Sequence, residues 1–118
     1  GRLLLALRAE PGRPTRNRIC DTVSVLACYV LDPSVEGGGW PELGTALSGL
    51  VEAGDGASRE SALRILREML GLNPPVVQAL LGGRMHWVLQ ICLADAAASV
   101  RKGAVLMLAA ALEHLPAQ

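Results

Sequence analysis

The cysteines and histidines are the residues of this chain best suited to chemistry, and their spacing decides which chemistry is open to them. Cys20 and Cys28 are too far apart for a CxxC motif. A nucleophilic cysteine needs a nearby base, and a zinc site needs ligands at short, regular spacing. His86 has no cysteine or histidine at such a spacing, and His114 lies near a predicted helix end, where a cation suits the helix dipole. We therefore predict buried, reduced thiols and no metal.

Glycines and carboxylates also leave no catalytic arrangement. The glycine run at 37–39 leads into Trp-Pro, without the Lys-Ser/Thr that follows a phosphate-binding loop. Glu10, Asp32 and Glu52 show no spacing that would pair two carboxylates for acid–base work. The sequence predicts a non-enzymatic protein without a cofactor.

Three arginines recur at nearly equal distances and lead to the elements that must position any functional side chain. Arg16, Arg59 and Arg101 are 43 and 42 residues apart. Apolar residues follow each arginine at offsets of three, four, seven and eleven, which mark one face of an α-helix. The three sets are Ile19, Cys20, Val23 and Ala27; Ala62, Leu63, Leu66 and Leu70; and Ala104, Val105, Leu108 and Leu112. A helical face recurring at this period is typical of stacked two-helix HEAT-type units.

A second set of apolar positions repeats at the same period. Leu43, Leu47 and Leu50 each have an apolar residue 42 positions later. The leucines at 3, 4 and 7 each lie 43 positions before an apolar residue of the same helix, namely Ala46, Leu47 and Leu50. We therefore predict an all-α fold, an α-solenoid of about three HEAT-type antiparallel helix pairs. The repeats are expected at about 1–31, 38–71 and 75–115, in a single segment. We call the later helix of each pair its second helix. Second helices are expected at about 15–31, 58–70 and 99–115, and Thr15 and Ser58 are the predicted N-caps of the first two.

Composition excludes several classes of protein. Eleven basic residues balance eleven acidic ones, so no dense basic surface for nucleic acid is expected. Met85–Val100 is broken by His86, Gln90 and Asp95 and is not predicted to enter a membrane. The odd number of cysteines favours a reducing compartment, the cytoplasm or nucleus. The chain begins without Met, and we expect a fragment or trimmed domain that self-associates through uncapped ends or is marginally stable.

Three segments resemble the HEAT repeats of importin-β-type karyopherins, most closely the importin-β3 branch. They are Arg16–Asp21 with Leu26-Ala27, Gly39–Leu43 with its Trp-Pro-Glu, and Arg59–Leu63. The spacings between them are also similar, over about residues 3–71. Beyond Pro74 the chain resembles HEAT repeats in general, through Val100–Ala104.

The resemblance implies a nuclear transport receptor, acting in nuclear protein import. Such receptors wrap cargo on a concave wall of second helices, bind Ran-GTP mainly through early repeats, and touch Phe-Gly nucleoporin repeats on the convex side. The partners implied are proteins, in the cytoplasm and the nucleus.

The predicted contact residues are polar positions on the second helices. They are Asn17, Asp21, Ser24, Glu60, Arg64, Arg67 and Lys102. The arginines at 16, 59 and 101 are predicted to bind turn carbonyls or an aspartate of a neighbouring repeat, with Asp21 and Asp55 as candidate partners. Trp40 is interpreted as a packing residue rather than a partner-binding anchor.

Two other functions fit a helical solenoid. One is a HEAT or armadillo scaffold or adaptor for assembly of protein complexes. The other is a regulatory helical domain of a larger enzyme, which an adjoining catalytic motif would identify.

Overall fold

The computed structural model describes residues 2–32, 39–81 and 83–114, and all regular structure within those ranges is α-helical. The helices are α1 (Arg2–Ala9), α2 (Arg13–Val30), α3 (Pro41–Glu52), α4 (Gly56–Leu72), α5 (Pro74–Leu81), α6 (Met85–Leu93) and α7 (Ala98–His114). The predicted all-α solenoid is confirmed. Of the glycine run at 37–39, only Gly39 belongs to the described residues, and the predicted end of the last helix at 115 lies outside them.

The second helices begin earlier than predicted, because other residues occupy the cap positions. α2 begins at Arg13 after Gly12, with Pro14 in its first turn, where the missing N–H of proline costs no hydrogen bond. The predicted cap Thr15 therefore lies inside the helix. In α4 the Asp55 carboxylate caps the helix and accepts from the Ser58 N–H at 3.0 Å. The prediction of Ser58 as the N-cap was therefore also wrong. The hydrogen bond from the Ser58 N–H lowers the pKa of the Asp55 carboxyl.

The central element is α4, which packs against α2 on one side and α7 on the other. Ile65, Leu66 and Met69 of α4 are fully buried. Burying side chains of this size contributes about 1.5–3 kcal/mol each. The second helices therefore form a continuous layer, and α3 and α6 each pack on their own second helix.

A row of small side chains holds α2 close to α4. Three residues spaced four apart on α2 face successive backbone oxygens of α4. The Sγ or Oγ to oxygen distances are 3.8 Å for Cys20 to Ser61, 3.2 Å for Ser24 to Ile65 and 3.9 Å for Cys28 to Met69. Small donors at these positions allow the two helix backbones to approach without a void.

No single helix in the described part of the chain is long and apolar enough to cross a membrane. The bent pair α5 and α6 reaches that length only when its two helices are taken together.

Candidate protein-binding site

The second helices α2, α4 and α7 together line a groove of about 270 Å³. It is shaped by residues from all three helices: Arg13, Asn17, Glu60, Leu63, Arg64, Arg67, Ser99, Lys102, Gly103 and Leu106. Five of the seven predicted contact residues lie here, namely Asn17, Glu60, Arg64, Arg67 and Lys102. They come together because equivalent positions of stacked helices share one face. We call this the second-helix groove.

Glu60 is the only carboxylate among the described residues that line the groove, and it joins the outer helices to α4. Its Oε2 accepts from Arg13 Nη2 at 3.1 Å and from Ser99 Oγ at 3.2 Å. One contact reaches α2 and the other reaches α7. Glu60 therefore ties the three second helices together at the end of the groove where they begin.

Arg64 and Asp21 form a bidentate ion pair across the α2–α4 interface. Arg64 Nε and Nη2 donate to the two Asp21 oxygens at 2.9 Å and 3.0 Å. These hydrogen bonds raise the pKa of Arg64. Asp21 lies beside the groove rather than in its lining, and its partner is Arg64 rather than one of the repeating arginines. The main role of this pair is therefore to join α2 to α4.

Ser24 is the predicted contact residue that the structure removes from the surface. It is fully buried, and its Oγ lies 2.8 Å from the Cys20 oxygen and 3.2 Å from the Ile65 oxygen. Its placement on the binding wall was wrong, because it belongs to the small-residue row that faces α4.

Arg67 and Lys102 are the lining cations least engaged within the described residues. Arg67 Nη2 lies 3.9 Å from Glu68 Oε1, too far for a direct hydrogen bond. Lys102 is exposed and forms no ion pair within the described ranges. These two side chains have charge available for a partner.

Arg16 and Arg101 bind turn carbonyls, as predicted, whereas Arg59 binds a carbonyl in the last turn of α3. The contacts are Arg16 Nη1 to Pro11 O at 3.2 Å, Arg59 Nε to Val51 O at 2.8 Å, and Arg101 Nη1 to Asp95 O and Ala96 O at 2.8 Å each. Arg16 and Arg101 thereby hold the turn that precedes their helix, and Arg59 holds the C-terminal end of α3 against α4.

The aspartates predicted as partners of the repeating arginines, Asp21 and Asp55, were the wrong ones. Arg59 Nη1 donates at 2.5 Å to Asp95, in the turn between α6 and α7, rather than to Asp21 or Asp55. The Asp95 pKa is lowered by the hydrogen bond from the Ala97 N–H and by Arg59. This carboxylate therefore connects one unit of the stack to the next.

A second cleft, of about 670 Å³, is shaped mainly by α3, α5 and α6. Trp40 and Trp87 both line it, and the Arg84 guanidinium carbon lies 4.2 Å from the centroid of the Trp87 ring. Trp40 is half-buried and packs on the core, as interpreted from the sequence, while also facing this cleft. Arg84 and Trp87 were not singled out from the sequence; Trp40 directly precedes α3, and Trp87 lies in α6.

The thiols lie away from both clefts. Cys20, Cys28 and Cys92 are free and buried, and burial raises the pKa of each. Raised pKa values lower the fraction of reactive thiolate. Within the described ranges, no three His, Cys, Asp or Glu side chains are grouped so that they could hold a metal ion.

Comparison with known proteins identifies the family. The model for the family described as "IPO5-like, TPR repeats" matches residues 11–117, well beyond the 3–71 of the resemblance noted above. No curated protein and no solved structure matches the chain. The spacing of 42 to 43 residues is that of HEAT-type units, longer than the 34 residues of most TPR units. The chain belongs to the IPO5-like repeat family and is a repeat segment of the importin-β-type karyopherins, a family of non-enzymatic transport receptors.

Proposed function

We propose that this chain is a protein-binding segment of a nuclear transport receptor, and that its second-helix groove contacts cargo or Ran-GTP. The observation that carries the proposal is the groove itself. Five polar residues chosen from the sequence as contacts lie together on it, in a chain of the IPO5-like family. The location that follows is the cytoplasm and the nucleus.

We also propose a division of the chain into three stacked repeats. The units are α1 with α2, α3 with α4, and α5 and α6 with α7, at about 1–31, 38–71 and 75–115. The contacts of α4 with both α2 and α7 support this division. In this scheme the groove crosses all three repeats, so binding of a partner in the groove depends on the relative positions of the repeats.

The second cleft is the proposed site for Phe-Gly nucleoporin repeats. It lies between α3, α5 and α6, and its walls offer two indole rings to an aromatic side chain. Trp87→Ala should weaken binding of a Phe-Gly repeat peptide measured by nuclear magnetic resonance titration, while Leu72→Ala, on the exposed end of α4, should leave it unchanged.

The main test is a pull-down with Ran loaded with GTP or GDP, using the protein as bait. GTP-selective retention supports the proposal. Retention of neither form by a folded protein contradicts the Ran-GTP part of the proposal and favours a scaffold or adaptor, or a regulatory domain of an enzyme.

The test needs a groove variant that does not disturb the stack. Arg64 and Arg67 are both predicted contacts, but reversing the charge of Arg64 breaks its two hydrogen bonds to Asp21. Arg67→Glu with Lys102→Glu avoids this loss. The double variant should retain less Ran-GTP or cargo at a nearly unchanged melting temperature. Unchanged retention of every partner would exclude the groove.

A further inference from the structure

We propose that the second-helix groove binds an acidic, extended segment of a partner protein, about six residues long, lying across α2, α4 and α7. This inference rests on the proposed function and adds the charge and the length of the bound segment.

The charge of the groove differs from that of the chain. The whole sequence has eleven basic and eleven acidic residues, yet the described residues of the groove lining include four cations, Arg13, Arg64, Arg67 and Lys102, and one carboxylate, Glu60. Clefts lined by one sign of charge concentrate their field on a ligand of the opposite sign. The groove therefore favours carboxylates.

Internal pairing leaves part of this positive charge available. Glu60 and Asp21 occupy Arg13 and Arg64. Arg67 has only the distant Glu68 carboxylate at 3.9 Å, and Lys102 is exposed on α7. A bound carboxylate can thus gain charge-assisted hydrogen bonds from these two side chains without breaking an inter-helix pair. A basic segment would find only carboxylates that already have cationic partners.

The shape of the groove suits an extended chain. Stacked helices lie about 8–10 Å apart, so a segment crossing three of them spans about 16–20 Å. At about 3.3–3.6 Å per extended residue, that span corresponds to about six residues. The floor is apolar: Leu63 is buried, and Gly103 approaches it so closely that an added Cβ would lie 3.2 Å from Leu63 Cδ1. A side chain at Gly103 would fill the floor, so its absence keeps the groove open.

The test uses fluorescein-labelled hexaglutamate as the probe and hexalysine as its charge-inverted counterpart, with anisotropy measured at low salt. Hexaglutamate should bind and hexalysine should not, and affinity should fall as salt rises, because these side chains are exposed to screening. Arg67→Glu with Lys102→Glu should weaken hexaglutamate binding at least tenfold. Arg8→Glu with Arg18→Glu makes the same charge change on exposed arginines outside the groove lining, and should change it less than twofold.

Circular dichroism is used to check that each variant is folded. If charge reversal unfolds the protein, Arg67→Gln with Lys102→Gln provides a milder change. Hexaglutamate binding that is equal in the groove variant and the control, or hexalysine binding that is tighter, overturns the inference. The Ran pull-down on the same proteins separates the two proposals. GTP-selective retention without hexaglutamate binding overturns this inference alone. Groove-dependent hexaglutamate binding without Ran retention overturns only the Ran-GTP part of the proposed function.

Discussion

Arg64 holds both oxygens of the Asp21 carboxylate, at 2.9 Å and 3.0 Å, across the boundary between α2 and α4. The two residues are 43 apart in the chain, one repeat period. Both were predicted as partner contacts, and the structure shows that they also join two neighbouring helices of the stack. A solenoid has this property in general, because the face that meets a partner also joins neighbouring repeats.

The strength of this pair can be measured by a double-mutant cycle. Asp21→Ala, Arg64→Ala and the double variant should show a coupling free energy of about 0.5–1 kcal/mol in urea unfolding, since both side chains are partly exposed to solvent. The same cycle on Arg13 and Glu60, where the arginine side chain is 61% exposed, should give less. A coupling near zero for Asp21 and Arg64 would mean that the bidentate geometry does not stabilise the interface.

Acid should weaken the stack through Asp95. Its pKa is lowered in the folded protein, so the unfolded chain binds more protons as the pH falls below the ordinary value of about 3.9. The stabilisation is present above that pH and is lost as the pH falls through the lowered pKa. Asp95→Asn should therefore melt below the wild type at pH 6, and the difference should shrink below pH 4.

Glu113→Gln, at an exposed position of α7, provides the matched control for acid melting. Its melting temperature should follow the wild type in parallel over the same range. A difference between wild type and Asp95→Asn that stays constant down to pH 2 would contradict the proposed role of the Arg59–Asp95 pair.

Two helical glycines should respond to substitution with opposite signs. An added Cβ at Gly49 meets nothing within 4 Å, so Gly49→Ala should stabilise α3 by up to about 1 kcal/mol. At Gly103 the added Cβ would press on Leu63, so Gly103→Val should destabilise the protein by about 1–3 kcal/mol. Urea unfolding measures both changes. Equal effects at the two sites would contradict the close approach of α4 and α7.

Apolar residues exposed on α7 should make the isolated chain self-associate. Val105 is 54% exposed and Leu112 is 77% exposed, on the side of α7 that faces away from α4. In sedimentation experiments the chain should show a mass above its 12.4 kDa monomer that rises with concentration. Val105→Gln with Leu112→Gln should lower it, while Leu72→Gln, at an exposed end of α4, should not. A wild type that stays monomeric at high concentration would rule out association through this face.

Periodicity was sufficient to predict the helices and the core face of α4, but the predicted core face of α7 was largely wrong. At the repeated offsets in α7, Ala104 is buried while Val105, Leu108 and Leu112 are exposed. Leu63, Leu66 and Leu70 were placed in the core because the same apolar offsets recur in three segments, and all three are buried. The N-cap of α4 was harder to assign, because Asp55 and Ser58 both have side chains suited to capping. Only the structure shows that the Asp55 carboxylate accepts a hydrogen bond from the Ser58 N–H.

The groove could be predicted only in part. Ser24 looks like a surface residue in the sequence, and its burial depends on the adjacent row of Cys20 and Cys28 facing backbone oxygens of α4. The second cleft depends on how α5 and α6 pack beside α3, which no repeat spacing encodes. Arg84 and Trp87 therefore became visible only in the folded molecule.

The central claim is that the layer of second helices forms the protein-binding wall of this karyopherin segment. Hydrogen exchange of the protein with and without Ran-GTP tests it most directly. We predict protection of backbone amides in α2, α4 and α7 around Asn17, Arg67 and Lys102, with α3 and α6 unchanged. Protection confined to α3, α5 and α6, with the second helices unaffected, would contradict the claim.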